Sequence, residues 1–292
     1  MSVPDLSLFS SLAYSLDNST ANLQQIEQQI ATGKQVLQPS DNPTAYAASQ
    51  VLSAQQSAVS NDLVLAQQVQ AQLTTADGAL ANVGNAINSA LSIATQGASA
   101  TTSPSAMATL GAQVQSILSQ VIGEANSQYG GSYLFAGNQV QAAPYDSSGN
   151  YIGDNGSNSV TFSNGNQVQT NFNGQSIFGN TGSGLIGTLT ALASALNGGN
   201  QAAVAAALPQ LQTALTNLAT SRGNLGINLQ TANNLITNAT DQSTSLQASI
   251  SNLTGVDIAR AAANEQETLL QQQALVSLGS DLGKIPLVNI LA

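Results

Sequence analysis

"QQIATGKQVLQPSDNPTAYAASQ", residues 28–50, is the stretch on which the fold turns. It places Gly33, Lys34, Pro39 and Pro43 in a chain that otherwise reads as one amphipathic helix after another. No second Lys or Arg follows until Arg222. A phosphate-binding loop would need an upstream Gly and a Ser or Thr after the Lys; Gly33-Lys34 lacks that Gly and is followed by Gln35. Before the break, Phe9, Leu12, Leu16, Ser19, Leu23, Ile26 and Ile30 advance by threes and fours. Such a seam belongs to a helix that packs on another helix, with Ser19 its one polar interruption. Gly33 and Pro39 end this helix, and Asn42 as N-cap with Pro43 at N1 begins the next. The segment Gly33, Lys34, Pro39, Ser40, Asp41, Asn42 and Pro43 therefore reads as a joint between two helical parts.

Beyond the joint the same stepping continues through Leu52, Val59, Leu63, Leu73, Leu80, Ile87 and Ala94, with Gln56 and Gln70 inside the seam. At 1.5 Å per residue this helix is roughly 65 Å long. "GASATTSPS" turns the chain, and Pro104 starts a shorter helix carrying Met107, Leu110, Val114, Ile117 and Val121. From about Gly130 the pattern changes to Gly and Asn, with short alternating pieces "SVTF" and "QVQTNF". Asn155-Gly156, Asn164-Gly165 and Asn173-Gly174 read as hairpin turns of a small β insert, whose aromatics give it a modest core of its own. Helical spacing returns at Leu185–Leu196. A long seam then runs from Val204 to Leu253 with Arg222 inside it, and Gly255 breaks it before a last helix from about Asp257 to Leu282. Pro209 is expected to open the long helix, because a proline inside a helix costs about 3 kcal/mol.

The fold expected is mainly α: a long antiparallel helical bundle or coiled-coil rod formed by the N- and C-terminal halves, with a small β-rich insert. Residues 1–44 and 255–292 form the terminal helices, 45–129 and 185–254 the helical rod, and 130–184 the β-rich outer insert.

Composition narrows the function. Only 6% of the 292 residues are charged and the net charge is −10, against about 25% charged in an average globular chain. Four cations cannot neutralise a nucleic-acid backbone, nor dock the chain on an anionic membrane. No apolar run approaches the ~20 residues of a membrane span. The N-terminus has no basic region followed by an apolar stretch, so no cleaved secretory signal is expected. The absence of Cys and His removes the thiol nucleophile, the commonest general base and the commonest neutral metal ligand.

The remaining chemical motifs are weak. Gly182-Ser-Gly184-Leu-Ile-Gly187 matches G-x-G-x-x-G, yet no Asp or Glu lies between Asp154 and Asp241 to hold a ribose, so a flexible connector is expected. Asp146-Ser-Ser148-Gly-Asn150 resembles the start of a calcium loop, but Tyr151 replaces the needed Gly, so a turn is expected. Glu265 and Glu267 lie two apart on a helix and do not share a face. No catalytic residue, cofactor or metal is expected. The terminal helices are different: each carries one apolar stripe, and an isolated helix of that size is marginal in water. They read as segments that become stable inside an assembly. The expected contacts are Phe9, Leu12, Leu16, Leu23, Ile26 and Ile30 with Ile258, Leu269, Leu270, Val276, Leu278, Leu282, Ile285, Leu287, Val288, Ile290 and Leu291.

"QQIATGKQV" followed by "PSDNPTAYAASQ" resembles the N-terminal signature of the bacterial flagellin family, in the form found in its hook–filament junction members. "GSYLFAGNQVQAAPYD" and "GNQVQTNFNGQSIFG" are similar to the β insert of those junction proteins, and "SRGNLGINLQTANN" with "GVDIARAAANEQETLLQQQALVSLG" resembles the family's C-terminal signature. The resemblance implies terminal helices packed as an inner coiled-coil tube, a helical region outside them and a β domain on the surface. It implies a structural subunit of the extracellular flagellum, exported through the flagellar type III channel without a cleaved signal. Its expected partners are copies of itself in a ring or tube, another hook-associated protein, flagellin and a cytoplasmic export chaperone. Gln35 stands where the family usually has a basic residue, and the C-terminal helix lacks most of the usual Lys and Arg, so fewer intersubunit ion pairs are expected. The ending "IPLVNILA" is not a strong match. A flagellin filament subunit and a secreted helical adhesin remain the alternatives.

Overall fold

A computed structural model describes residues 3–283, with side chains described for residues 7–281. Of the expected contacts, Ile285, Leu287, Val288, Ile290 and Leu291 lie outside the described residues, and Leu282 is described only as helix backbone. The chain is mainly α. In order it forms α1 (Val3–Thr32), α2 (Pro43–Gly97), α3 (Pro104–Ala125), β1 (Gln128–Tyr129), β2 (Ser132–Tyr133), β3 (Ser159–Thr161), β4 (Gln167–Gln169), α4 (Gly174–Phe178), α5 (Gly184–Asn197), α6 (Gln201–Thr254) and α7 (Ile258–Gly283). It divides into two compact units, one of residues 1–58 and 242–292, the other of residues 59–241.

The 59–241 unit holds the main core. Of the predicted seams, Leu73, Leu80, Ile87 and Ala94 on α2, Val114 and Val121 on α3, Leu189, Leu192 and Leu196 on α5, and Val204, Leu211 and Leu218 on α6 are buried; Leu63, Leu110 and Ile117 are half-buried, and Leu253, in the terminal unit, is exposed. Ser103 caps α3 through its side chain, with Pro104 at N1, and α3 packs along α5. Two polar seam positions find partners across the helices. Gln70 Nε2 donates to Asn233 Oδ1 at 2.6 Å. Arg222 donates from Nε and Nη2 to the two carboxylate oxygens of Asp77 at 2.8 and 2.9 Å. Position 70 on α2 thus meets 233 on α6 and position 77 meets 222, so the two helices are antiparallel here.

Pro209 departs from expectation. It lies inside α6, which starts eight residues earlier, where Asn200 Oδ1 accepts from Ala203 N at 3.1 Å. Val204 and Leu211, on either side of the proline, are both fully buried. Burying two such side chains is worth about 1.5–3 kcal/mol each, enough to offset the roughly 3 kcal/mol of an interior proline.

The insert forms two antiparallel hairpins, β1–β2 and β3–β4. Only Asn164-Gly165 of the three expected turn pairs joins strands, linking Thr161 to its partner Gln167. Asn173 instead caps α4, accepting from Gln175 N and Ser176 N. Asn155-Gly156 lies in a loop where Gly156 N donates to Asp154 Oδ1. Nor do the aromatics make a separate core. Phe135 and Phe178 meet edge to face at 5.0 Å and belong to the same apolar cluster as α2, α3, α5 and α6. Tyr145 donates its hydroxyl to Gly179 O at 2.8 Å, and burial pushes its ionisation far above the usual tyrosine range.

In water, Leu189→Ala should destabilise this unit by about 2–5 kcal/mol through cavity formation, whereas Arg222→Ala should cost less than about 1 kcal/mol because the pair is exposed. Urea unfolding of the two variants measures the contrast; similar losses would contradict this ranking.

Candidate assembly site

The terminal unit holds α1 and α7, which lie side by side, together with the start of α2 and the end of α6. Gln272 Nε2 donates to Thr20 Oγ1 at 3.0 Å. Leu12 lies over Gly279, where an added Cβ would come within 3.2 Å of its Cδ2. Position 20 thus meets 272 and position 12 meets 279, so the pair is antiparallel.

The expected contact residues split into two sets. Leu12, Leu16, Leu23, Ile26 and Ile30 are half-buried, as is Leu269, and these close α1 on α7. Phe9 is 61% exposed, Ile258 59%, Leu270 65%, Val276 56% and Leu278 57%. Leu8 and Tyr14, which the stepping pattern passed over, are also exposed. A hydrophobic stripe records that residues will be covered; it does not record whether α7 or a different surface covers them. Among the described residues, seven large apolar side chains are thus left exposed on the two helices.

Inside the pair, Ser19 is 6% exposed. Its hydroxyl finds no hydrogen-bond partner among the described residues, although neighbouring Ser15 and Thr20 bond back to carbonyls of the preceding turn. A buried unsatisfied hydroxyl costs about 1–3 kcal/mol, so the polar interruption read from the sequence weakens the pair instead of anchoring it.

The joint is more ordered than a simple break. Gly33 takes φ +68°, the left-handed conformation that ends a helix at little cost only for Gly. The chain then runs antiparallel to the break between α6 and α7. Lys34 bridges Gly255, Gln35 N donates to Thr254 O at 2.6 Å, and Val256 N donates to Gly33 O at 3.1 Å. The two chain breaks, read separately in the sequence, are hydrogen-bonded to each other.

Around Pro39 and Ser40, both exposed, the loop closes on Asp41. Its Oδ2 accepts from Leu37 N at 2.9 Å and Gln38 N at 3.1 Å, and its Oδ1 accepts from Gln25 Nε2 of α1 at 3.2 Å. The Leu37 and Gln38 amides hold this carboxyl below the usual carboxylate range. Asn42 Oδ1 accepts from Ala45 N at 3.0 Å and caps α2, with Pro43 first in the helix. Asp257 caps α7 in the same way through Arg260 N. Val36 and Ala45 are buried beneath the loop, as are Ser49 and Thr254. Farther along this unit, Gln56 Nε2 donates to Gln247 Oε1 at 2.8 Å, so the remaining polar seam residue of α2 also has an amide partner.

Other candidate motifs resolve as local structure. The G-x-G-x-x-G segment is a tight turn and not a loose connector: a Cβ on Gly179 would strike Ser183 O and Gly184 Cα, and Gly184 has φ +68°. Asp146 spends its carboxylate on Ser148 N, Asn150 N and Asn150 Nδ2, a turn rather than an open ion loop. Among the described residues, no three His, Cys, Asp or Glu side chains gather as metal ligands do, and no helix is long and apolar enough to cross a membrane.

Three outcomes follow for this unit. Ser19→Ala should stabilise α1 against α7, seen as slower local exchange of their amides. Gly33→Ala should cost about 1–2 kcal/mol for the left-handed backbone. Asp41 has a depressed folded pKa, so its contribution is present at neutral pH and disappears as pH falls through the acid range below about 4. Amide exchange at Leu37 and Gln38 should accelerate there, and Asp41→Asn should lose much of that pH dependence.

Comparison with known proteins accords with this architecture. Residues 6–140 match the bacterial flagellin N-terminal helical region, and residues 208–291 match the bacterial flagellin C-terminal helical region. The flagellar hook-associated protein 3 of Salmonella typhimurium is 29% identical over 276 residues, covering 83% of this chain and 84% of that protein. Among solved structures, FlgL of Bacillus cereus superposes with a TM-score of 0.61 at 21% identity, covering 70% of this chain and 99% of that one. The flagellar junction protein FlgL of Legionella pneumophila gives 0.57 at 16% identity, covering 70% of this chain and all of that one. With both terminal helical regions matched and the helices paired antiparallel between them, this chain belongs to the bacterial flagellin family.

Proposed function

We propose that this protein is a structural subunit of the bacterial flagellum that joins hook to filament, and that α1 and α7 carry its assembly contacts. The observation that carries the reading is the exposure of large apolar side chains on both helices of the α1/α7 pair, with Phe9, Leu270, Val276 and Leu278 each more than half exposed. Two helices packed on each other bury little surface, and covering those exposed side chains with neighbouring copies would add to it. The likeness to a hook-associated protein along most of both chains favours the junction over the filament. The same likeness supports a role that is mechanical and not enzymatic.

The finer parts of the proposal follow from this reading. Residues 1–44 and 255–292 act as the inner assembly domain, 45–129 and 185–254 as the helical rod, and 130–184 as an outward β domain. Copies of the chain form a ring or tube between another hook-associated protein and flagellin. The subunit leaves the cell by the flagellar export route, after a chaperone has held its C-terminal segment. Scarcity of charge suits close stacking of identical chains, since a strongly charged helix would meet its own sign in every neighbour.

Deleting the gene should leave bare hooks while flagellin spills into the medium. Bare hooks without secreted flagellin would favour a filament subunit, and normal filaments would overturn both readings. Complementation with Leu270→Asp or Leu278→Asp should fail to restore filaments while the variant is still made and exported; restored motility would remove these side chains from the assembly contacts.

A further inference from the structure

Four Asn-Gly pairs occur in the chain, at 155–156, 164–165, 173–174 and 197–198. Such a pair can rearrange without an enzyme. The glycine backbone nitrogen attacks the asparagine Cγ, a C–N ring bond forms, the Cγ–Nδ2 bond breaks, and ammonia leaves carrying the amide proton. Water then opens either C–N bond of the cyclic imide and yields aspartate or isoaspartate. The step needs a free side-chain amide, room for the backbone to swing and, ideally, a donor on the oxygen that becomes negative in the tetrahedral intermediate.

Three of the pairs are held against this. Asn173 has its Nδ2 donating to Asn155 Oδ1, and Gly174 is buried with its N–H on Phe135 O. At 155–156 the attacking nitrogen is engaged, Gly156 N donating to Asp154 Oδ1, and the Asn138 side chain crowds Gly156. Asn197 ends α5, and Gly198 N is engaged in a helical bond to Ser194 O.

Asn164 differs. It is exposed at the tip of the β3–β4 hairpin. Its Oδ1 accepts from Asn166 N at 3.0 Å, a backbone donor placed to stabilise the developing oxyanion. Its Nδ2 has no hydrogen bond among the described residues. Gly165, at φ +82°, has open space around it, and only one turn bond, from its N–H to Phe162 O at 2.9 Å, restrains the attacking nitrogen.

We propose that Asn164 is a site of spontaneous deamidation in the folded protein, and that the product loosens the hairpin tip from α2. The tip is tied down next door: Ser163 donates from N and Oγ to the Asp62 carboxylate of α2, at 3.3 and 3.0 Å. A new carboxylate one residue away places like charge beside Asp62, and isoaspartate also lengthens the turn backbone. The hairpin thus carries a slow, irreversible chemical clock.

The test is incubation of the folded full-length chain in warm, mildly alkaline buffer, with aspartate and isoaspartate mapped by peptide mass spectrometry. Conversion at 164 should run several-fold faster than at 155, 173 or 197, and the four rates should converge in denaturant. Equal rates in the folded chain, or another pair leading, would overturn the assignment. For the consequence, Asn164→Asp should speed amide exchange of Ser163 relative to both wild type and Asn164→Gln; unchanged exchange would overturn the coupling to Asp62.

Discussion

The short backbone bridge between residues 33–35 and 254–256 is the constraint on which the terminal unit depends. Two hydrogen bonds, Gln35 N to Thr254 O and Val256 N to Gly33 O, join the end of α1 to the start of α7. Once those ends meet, α1 and α7 can only run antiparallel, and Leu12 comes to rest over Gly279. The bridge needs a left-handed residue at 33, which Gly supplies. It also needs a loop that does not drift, which Asp41 supplies by binding the amides of Leu37 and Gln38.

Registration of the helices elsewhere rests on neutral groups. With 6% charged residues, the chain has few ion pairs to spend. Gln56 with Gln247 and Gln70 with Asn233 mark the alignment of α2 on α6 inside their respective units. Both pairs are exposed, so they mark the register at the surface while the apolar seams beneath fix it. They do so with little sensitivity to salt, in contrast to the exposed Arg222–Asp77 pair, which salt screens. Ser19 is the exception: it interrupts a seam with no hydrogen-bond partner among the described residues. The helix pair that would gain most from assembly is also the one with an unresolved polar group in its interface.

Much of this was legible in the sequence, for identifiable reasons. The three-four stepping located α2, α3 and the later part of α6 because apolar residues recur along one stripe of each helix. Asn42-Pro43 and Ser103-Pro104 located helix starts because capping is local chemistry. Pro209 misled because a local cost was outweighed by tertiary burial of Val204 and Leu211. Asn173-Gly174 misled because an Asn that opens a turn can equally cap a helix, and the choice depends on Phe135 across the chain. At the candidate site, the sequence named the apolar residues but could not divide Leu16 and Ile26, which face α7, from Leu270 and Leu278, which face outward. Nor could it reveal that the breaks at Gly33 and Gly255 bond to each other, since nothing local links positions so distant.

The central claim is that α1 and α7 form a marginal pair that assembly completes. Hydrogen–deuterium exchange resolved by segment, on the free subunit and on the subunit incorporated at hook tips, tests it most directly. In the free subunit α1 and α7 should exchange far faster than the core stretches of α2 and α5, and incorporation should slow exchange in α1 and α7 selectively. Protection of α1 and α7 in the free subunit equal to that of α2, and unchanged on incorporation, would contradict it.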